Sequence, residues 1–183
     1  MWDQVKRKLK SSKAFTLAEM LLAVLILLMV TAIVAAGIPV AKNAYEKVVL
    51  SSNAEVLLST TISTLRNELG TARDVEVLPT TAAGTRVTYY NPSRSAYASI
   101  YLSEDAKKEI MFQRYYKKDD LSKEYAPVPL VSSKTATADL YVTYASVSYA
   151  DGVLTFSNLS VNRASGTTGL ALRGSLSIRV ISE

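Results

Sequence analysis

The 183-residue sequence predicts an α+β protein: a long N-terminal α-helix, its first half a transmembrane or filament-core segment, packed on an antiparallel β-sheet. Three observations carry that expectation. Residues 20–40 hold no charged side chain, and Thr31 is their one clearly polar residue. Residues 41–69 hold neither glycine nor proline and keep a helical period. From Thr71 onward the pattern changes to short alternating runs separated by Asn-Pro, Asp-Gly and charged stretches, as strands and turns require.

The chain opens on charge. Residues 1–14 carry five cations (Lys6, Arg7, Lys8, Lys10 and Lys13) against one acid, Asp3. The formal net charge of +5 therefore belongs mostly to this short segment. The rest is close to neutral and gives no support for bulk nucleic-acid binding through charge.

Residues 15–41 form the apolar segment. The 21 residues of 20–40 would span roughly 31 Å as a helix, matching a hydrocarbon core of about 30 Å. A secretory signal peptide has an apolar stretch of only about 7–15 residues, so a retained membrane helix fits better. Cations crowd its N-terminal side, which places the N-terminus in the cytoplasm and the bulk of the chain outside. Glu19 stands directly before the run. A carboxylate deep in a bilayer costs about 2.5–3.5 kcal/mol on insertion scales. The twelve Leu, Ile and Val residues of 20–40 supply roughly 4–7 kcal/mol, so insertion wins. By itself, Glu19 also fits an interfacial carboxylate at a helix N-terminus.

The run Lys13-Ala14-Phe15-Thr16-Leu17-Ala18-Glu19-Met20-Leu21-Leu22 resembles the processing site of type IV prepilins and pseudopilins. The resemblance covers residues 6 to about 45. It implies that residues 1–14 are a basic leader cut off by a membrane aspartyl peptidase between Ala14 and Phe15. The same enzyme would N-methylate the new terminus, Phe15. The residue before the cut is usually Gly in that family, and Ala14 is the smallest substitute. The resemblance gives Phe15 and Glu19 an assembly role: the Glu19 carboxylate of one subunit meets the terminal amine of Phe15 on a neighbour. Such a pair is strong in a low-dielectric bundle only when both partners are present, which makes it a registry device. Gly37 and Pro39 lie near the place where the family often bends its helix. The implied partners are copies of itself and other pilins in a helical filament, the prepilin peptidase, and a pilus or secretion assembly platform in the membrane.

Residues 42–70 continue the helix as an amphipathic half. Leu58, Ile62, Leu65 and Leu69 recur at spacings of one helical face. Gly70 follows as a C′ helix terminator. One helix is thus expected over 15–69, roughly 80 Å long, bent where Pro39 removes a backbone bond.

Residues 71–183 are expected to form a β-rich head. Strands are expected at 75–78 (closed by Pro79), 86–90, 98–102, 110–116, 140–150, 153–161 and 175–182. Asp151-Gly152 is a strong two-residue hairpin turn, with Val147 and Tyr149 alternating before it and Val153 and Thr155 after it. In the last strand Leu176, Ile178 and Val180 alternate against Ser177, Arg179 and Ile181. Residues 104–109, 125–129 and 166–169 are expected to be connections.

The chain has no cysteine and no histidine, which excludes disulfides, thiolate nucleophiles and Cys- or His-based metal centres. No phosphate loop, nucleophile elbow or calcium-loop spacing is present. No catalytic residue, metal or cofactor is therefore expected. Asp119, Asp120 and Glu124 sit among Arg114, Lys117, Lys118, Lys123 and Lys134 and read as a solvated, charge-balanced loop. Lys107-Lys108 and Lys117-Lys118 beside Tyr115 and Tyr116 form one weak basic-aromatic patch of the kind that contacts nucleic acid. The expected function is a structural subunit of a type IV pilus-like filament or a secretion or DNA-uptake pseudopilus. It would be a single-pass membrane protein first and part of a cell-surface filament afterwards. The alternative is a membrane-anchored surface binding module, an adhesin or receptor, whose helix is only an anchor.

Overall fold

The computed structural model describes residues 17–80, 84–105, 108–117, 120–131, 140–164 and 170–180. Among these residues it has one long helix, a short 3-10 helix at Pro92–Arg94 and ten strands, all paired antiparallel. Helix α1 spans Leu17–Leu69, 53 residues. The strands are β1 (Arg73–Thr80), β2 (Gly84–Asn91), β3 (Ala96–Leu102), β4 (Ile110–Lys117), β5 (Asp120–Glu124), β6 (Val128–Pro129), β7 (Leu140–Thr143), β8 (Ser146–Ala150), β9 (Val153–Arg163) and β10 (Ala171–Arg179). Contacts divide the chain into two units, residues 1–47 and residues 48–183. The expected α+β architecture is present, with two sheets where the sequence suggested one.

In the unit formed by residues 48–183, the first sheet has the order β1-β2-β3-β4-β5, with β6 also pairing to β4. The second has the order β10-β9-β7, with β8 also on β9. The helical stripe meets both. Ala54, Leu57, Leu58, Thr61, Leu65 and Leu69 are buried, and Ile62 packs partly buried beside them. They share one core with Val87, Tyr89, Ile100 and Phe112 of the first sheet and Leu140, Leu154, Phe156 and Leu176 of the second. Burying apolar area on one helical face while polar residues occupy the other is what selects this packing. The hydroxyl of Tyr144 donates to the Thr85 carbonyl at 2.9 Å and ties the second sheet to the first.

The helix stops at Leu69, with Gly70 after it, as expected. Gly70 is outside the left-handed region, and its N–H bonds to the Arg66 carbonyl at 2.8 Å. A Cβ there would lie 2.7 Å from that carbonyl oxygen. Close approach, rather than a positive φ, is what calls for glycine.

Several strand expectations shift. Pro79 lies inside β1, paired with Thr85, and β1 is an edge strand, the place in a sheet where proline is tolerated. Residues 120–124, expected to be loop, form β5, with Tyr115 opposite Glu124 and Lys117 opposite Asp120. Charged residues suit a short edge strand. Within 125–129, Val128 and Pro129 pair with Phe112 and Met111 on the same edge. The hairpin turn is where the sequence placed it. Asp151 and Gly152 both have positive φ, and Ala150 pairs directly with Val153. That pairing sets Tyr149 opposite Leu154 and Val147 opposite Phe156, so Leu154 and Phe156 point inward while Val153 and Thr155 stay half-buried. The one-residue difference reverses the face of every side chain after the turn. The last strand begins earlier, at Ala171, and keeps Leu176, Ile178 and Val180 buried. Residues 165–169 and Ile181 lie outside the described residues.

The expected single strand 140–150 is two, β7 and β8, interrupted at Tyr144-Ala145. Both pair with β9 in one unbroken register, Thr143 opposite Ser160 and Ser146 opposite Ser157. At the interruption the pleat changes phase. Leu140, Val142 and Tyr144 are buried before it and Val147 after it. β9 changes at the same level, between Phe156 and Leu159, and there Asn158 is left-handed at φ 51°. β10 changes between the buried Ala171 and Leu176, and within that interval Gly174 faces Asn158 between the pairs Arg173–Leu159 and Ser175–Ser157. Ala145, Asn158 and Gly174 thus stand at one height, all exposed, and the ladder keeps its register across them.

Candidate membrane and assembly segment

The first half of α1 is apolar all round and uncovered. Large side chains from Leu17 to Val40 are between 52% and 79% exposed. Its most apolar 18-residue window has no residue buried, and it is long and apolar enough to cross a membrane. Water is a poor solvent for such a surface. Each Leu, Ile or Val side chain left wet forgoes about 1.5–3 kcal/mol. The one clearly polar side chain in the run, Thr31, donates its hydroxyl to the Leu27 carbonyl at 2.7 Å, which satisfies it within the helix. Further along, Tyr45, Val48 and Val56 are exposed as well.

Glu19 lies in the first described turn of α1. A carboxylate in that turn is favoured by the helix dipole. Gly37 and Pro39 lie inside α1, and the helix runs through both. Pro39 has no N–H to give to the Ala35 carbonyl. A Cβ added at Gly37 would meet nothing within 4 Å, so this chain alone makes no use of its smallness. Ala14 and Phe15 lie outside the described residues.

The head carries two polar clusters that sequence reading did not find. In the first, Arg94 Nη2 pairs with Glu68 Oε1 at 2.7 Å, and the Asn91 side-chain amide donates to Glu68 Oε2 at 2.9 Å. The Tyr89 hydroxyl donates to the same oxygen at 3.5 Å. Glu68 is 13% exposed, so the last turn of α1 is fixed to β2 and the turn after it by a nearly buried carboxylate. Burial, and next the Glu68 charge, push the Tyr89 phenol well above its ordinary range, while Arg94 opposes them. In the second cluster, the Tyr115 hydroxyl accepts from Ser99 Oγ at 2.6 Å and from Arg86 Nη1 at 3.0 Å and donates to Gln113 Oε1 at 3.2 Å. The Arg86 guanidinium also lies 4.2 Å from the centre of the Tyr101 ring. Both clusters join residues far apart in sequence, so no local spacing announces them. Both are cross-links between strands or between helix and strand, and each keeps one buried polar atom without a hydrogen bond, Asn91 Oδ1 in the first and Arg86 Nε in the second. Among the described residues no group of three His, Cys, Asp or Glu side chains could hold a metal ion.

The two tyrosines of the basic-aromatic patch face opposite ways. Tyr115 is buried inside the second cluster, and Tyr116 is exposed on the opposite side of β4. Lys107 and Lys118 lie outside the described residues.

No family model, curated protein or solved structure matches the chain.

Proposed function

We propose that this chain is a structural subunit of a type IV pilus-like filament or a related secretion or DNA-uptake pseudopilus. It is inserted as a single-pass precursor with a cytoplasmic N-terminus, cut between Ala14 and Phe15, and drawn into a filament by its apolar helix. The observation that carries the reading is the bare first half of α1, directly preceded by Glu19 and a basic segment. A surface apolar on every side has two stable environments, lipid and a bundle of like helices. A subunit that moves from one to the other needs nothing else buried against that half.

The acid at position 19 supports the same reading. A plain anchor gains only about 0.3–1 kcal/mol from a carboxylate at the head of its membrane run, whereas a bundle gains registry by pairing it with a terminal amine. Gly37 gives a neighbouring helix room to approach, and Pro39 frees one carbonyl where α1 would bend. The partners in this reading are other copies or related subunits, the peptidase and the membrane assembly platform. The head is a packed, non-catalytic module.

The test is the mature N-terminus, read by mass spectrometry on protein from its native membranes. A peptide beginning at N-methylated Phe15 is expected. An intact Met1 in cells with an active prepilin peptidase would overturn the reading and leave the anchored binding module in its place.

A further inference from the structure

Exposed apolar side chains are rare on the head. Leu78, Tyr116, Tyr125 and Val128 are the large ones among its described residues, and the last three gather at the outer edge of the first sheet. Tyr116 belongs to β4, and Tyr125 lies between β5 and β6, the two short strands paired to that edge. Their ring centres are 5.3 Å apart and their planes are tilted by 33°. Their hydroxyl oxygens are 2.5 Å apart. The hydrogen bond thus brings the oxygen-bearing edges of two exposed rings together, and the ortho carbons of a phenol lie on that edge.

We propose that Tyr116 and Tyr125 form a pre-organised oxidative cross-linking site, at which hydrogen peroxide acting through a haem peroxidase joins the two rings as a dityrosine. Each phenol loses one electron and one proton, and the peroxide takes up both pairs to leave two molecules of water. The two phenoxyl radicals couple, forming a carbon–carbon bond between ortho positions. The ring hydrogen at each coupling carbon then moves to the phenol oxygen and restores aromaticity. The product is lighter than the two tyrosines by two hydrogens.

Three features select this pair. The two hydroxyls lie at hydrogen-bond distance, so the ortho carbons beside them stay adjacent once each ring has given its electron and proton to the peroxide. The Arg114 guanidinium lies 5.6 Å from the centre of the Tyr125 ring, and a cation there disfavours electron loss from that ring. Tyr116 is therefore oxidised first. The comparable pair Tyr90–Tyr97, with centres 5.2 Å apart, is tilted by 60°, and the Tyr97 hydroxyl turns to Asp74 at 3.5 Å. Its oxygen edges are not joined. The consequence is structural. β5 and β6 have five and two residues and hang on one side of β4. A bond from β4 to the residue between them holds both in place in a chain that has no cysteine for a disulfide.

The experiment treats the full chain in non-ionic detergent with a haem peroxidase and hydrogen peroxide, isolates the monomer band and digests it with trypsin. The expected product joins residues 115–117 to residues 124–134, two hydrogens lighter than the separate peptides. It should fall to background in both Tyr116→Phe and Tyr125→Phe, which keep the rings packed. Survival of the product in Tyr116→Phe, a dominant Tyr90–Tyr97 product, cross-linking confined to dimers, or no cross-link at all would each overturn the proposal.

Discussion

Asn158 occupies a backbone conformation that costs a β-branched residue about 1–2 kcal/mol, and it does so in the middle of the strand that both β7/β8 and β10 pair with. An asparagine tolerates that conformation, and a glycine would tolerate it better. Replacing Asn158 by Val should lower the melting temperature of the detergent-solubilised chain, by the equivalent of about 1–3 kcal/mol. Asn158→Gly should leave it nearly unchanged. If both changes are neutral, the phase change of the second sheet does not depend on this residue. The buried tyrosines make a different prediction. Burial pushes the Tyr144 phenol well above its ordinary value, and Tyr89 is pushed the same way by burial and by Glu68. In the unfolded chain a phenol ionises near pH 10. In the folded chain these two hold their protons beyond that point. Their contribution is therefore complete below about pH 10 and is lost as the pH rises further. Thermal melts should be level from neutral pH to about pH 9 and fall above pH 10. Tyr144→Phe should flatten that fall, and an unaltered slope would assign it to other groups.

At the scale of elements, α1 does two jobs with two kinds of sequence. Its second half presents one apolar face, and that face is what the sheets cover. Its end is fixed twice, by the close approach of Gly70 to the Arg66 carbonyl and by Glu68 held between Asn91 and Arg94. A methyl group at position 70 has no room without moving backbone. Gly70→Ala should therefore cost about 1 kcal/mol in thermal or denaturant unfolding, the reverse of the gain usual for alanine in a helix. A neutral result would show that the last turn yields freely. The edge elements behave differently. β5 and β6 are short, charged or proline-containing, and have one pairing partner each, so they add shape more than stability.

For the whole molecule, the decisive contrast is between a head whose apolar residues share one core and a helix half whose large apolar side chains are exposed among the described residues. That half looks for cover outside the chain. In the filament reading Glu19 decides which cover it finds. Glu19→Ala should insert into the membrane at least as well as the parent, because a carboxylate at depth costs about 2.5–3.5 kcal/mol. The same variant should fail to enter filaments, as judged by shear fractions of cells carrying the assembly machinery. Normal filaments from Glu19→Ala would remove the registry role while leaving the membrane helix untouched.

Residues 20–40 needed no partner to be read: a charge-free run of membrane length is a property of composition. The stripe at Leu58, Ile62, Leu65 and Leu69 and the turn at Asp151-Gly152 were legible for the same reason, since each signal is complete within a few residues. The leader, Phe15 and the role of Glu19 rest on sequence resemblance, and the tertiary structure adds only that the helix after them is bare. What the sequence could not hold is whatever depends on distant residues meeting. It could not say that the Asp151-Gly152 turn turns Leu154 inward rather than Val153. It could not say that Ala145, Asn158 and Gly174 line up across three strands, that Glu68 finds Arg94, or that Tyr116 finds Tyr125. A strand's inward face is set by its register against a neighbour, and a hydrogen bond across a sheet by the order of strands. Both are fixed only when the helix and the two sheets close on one core.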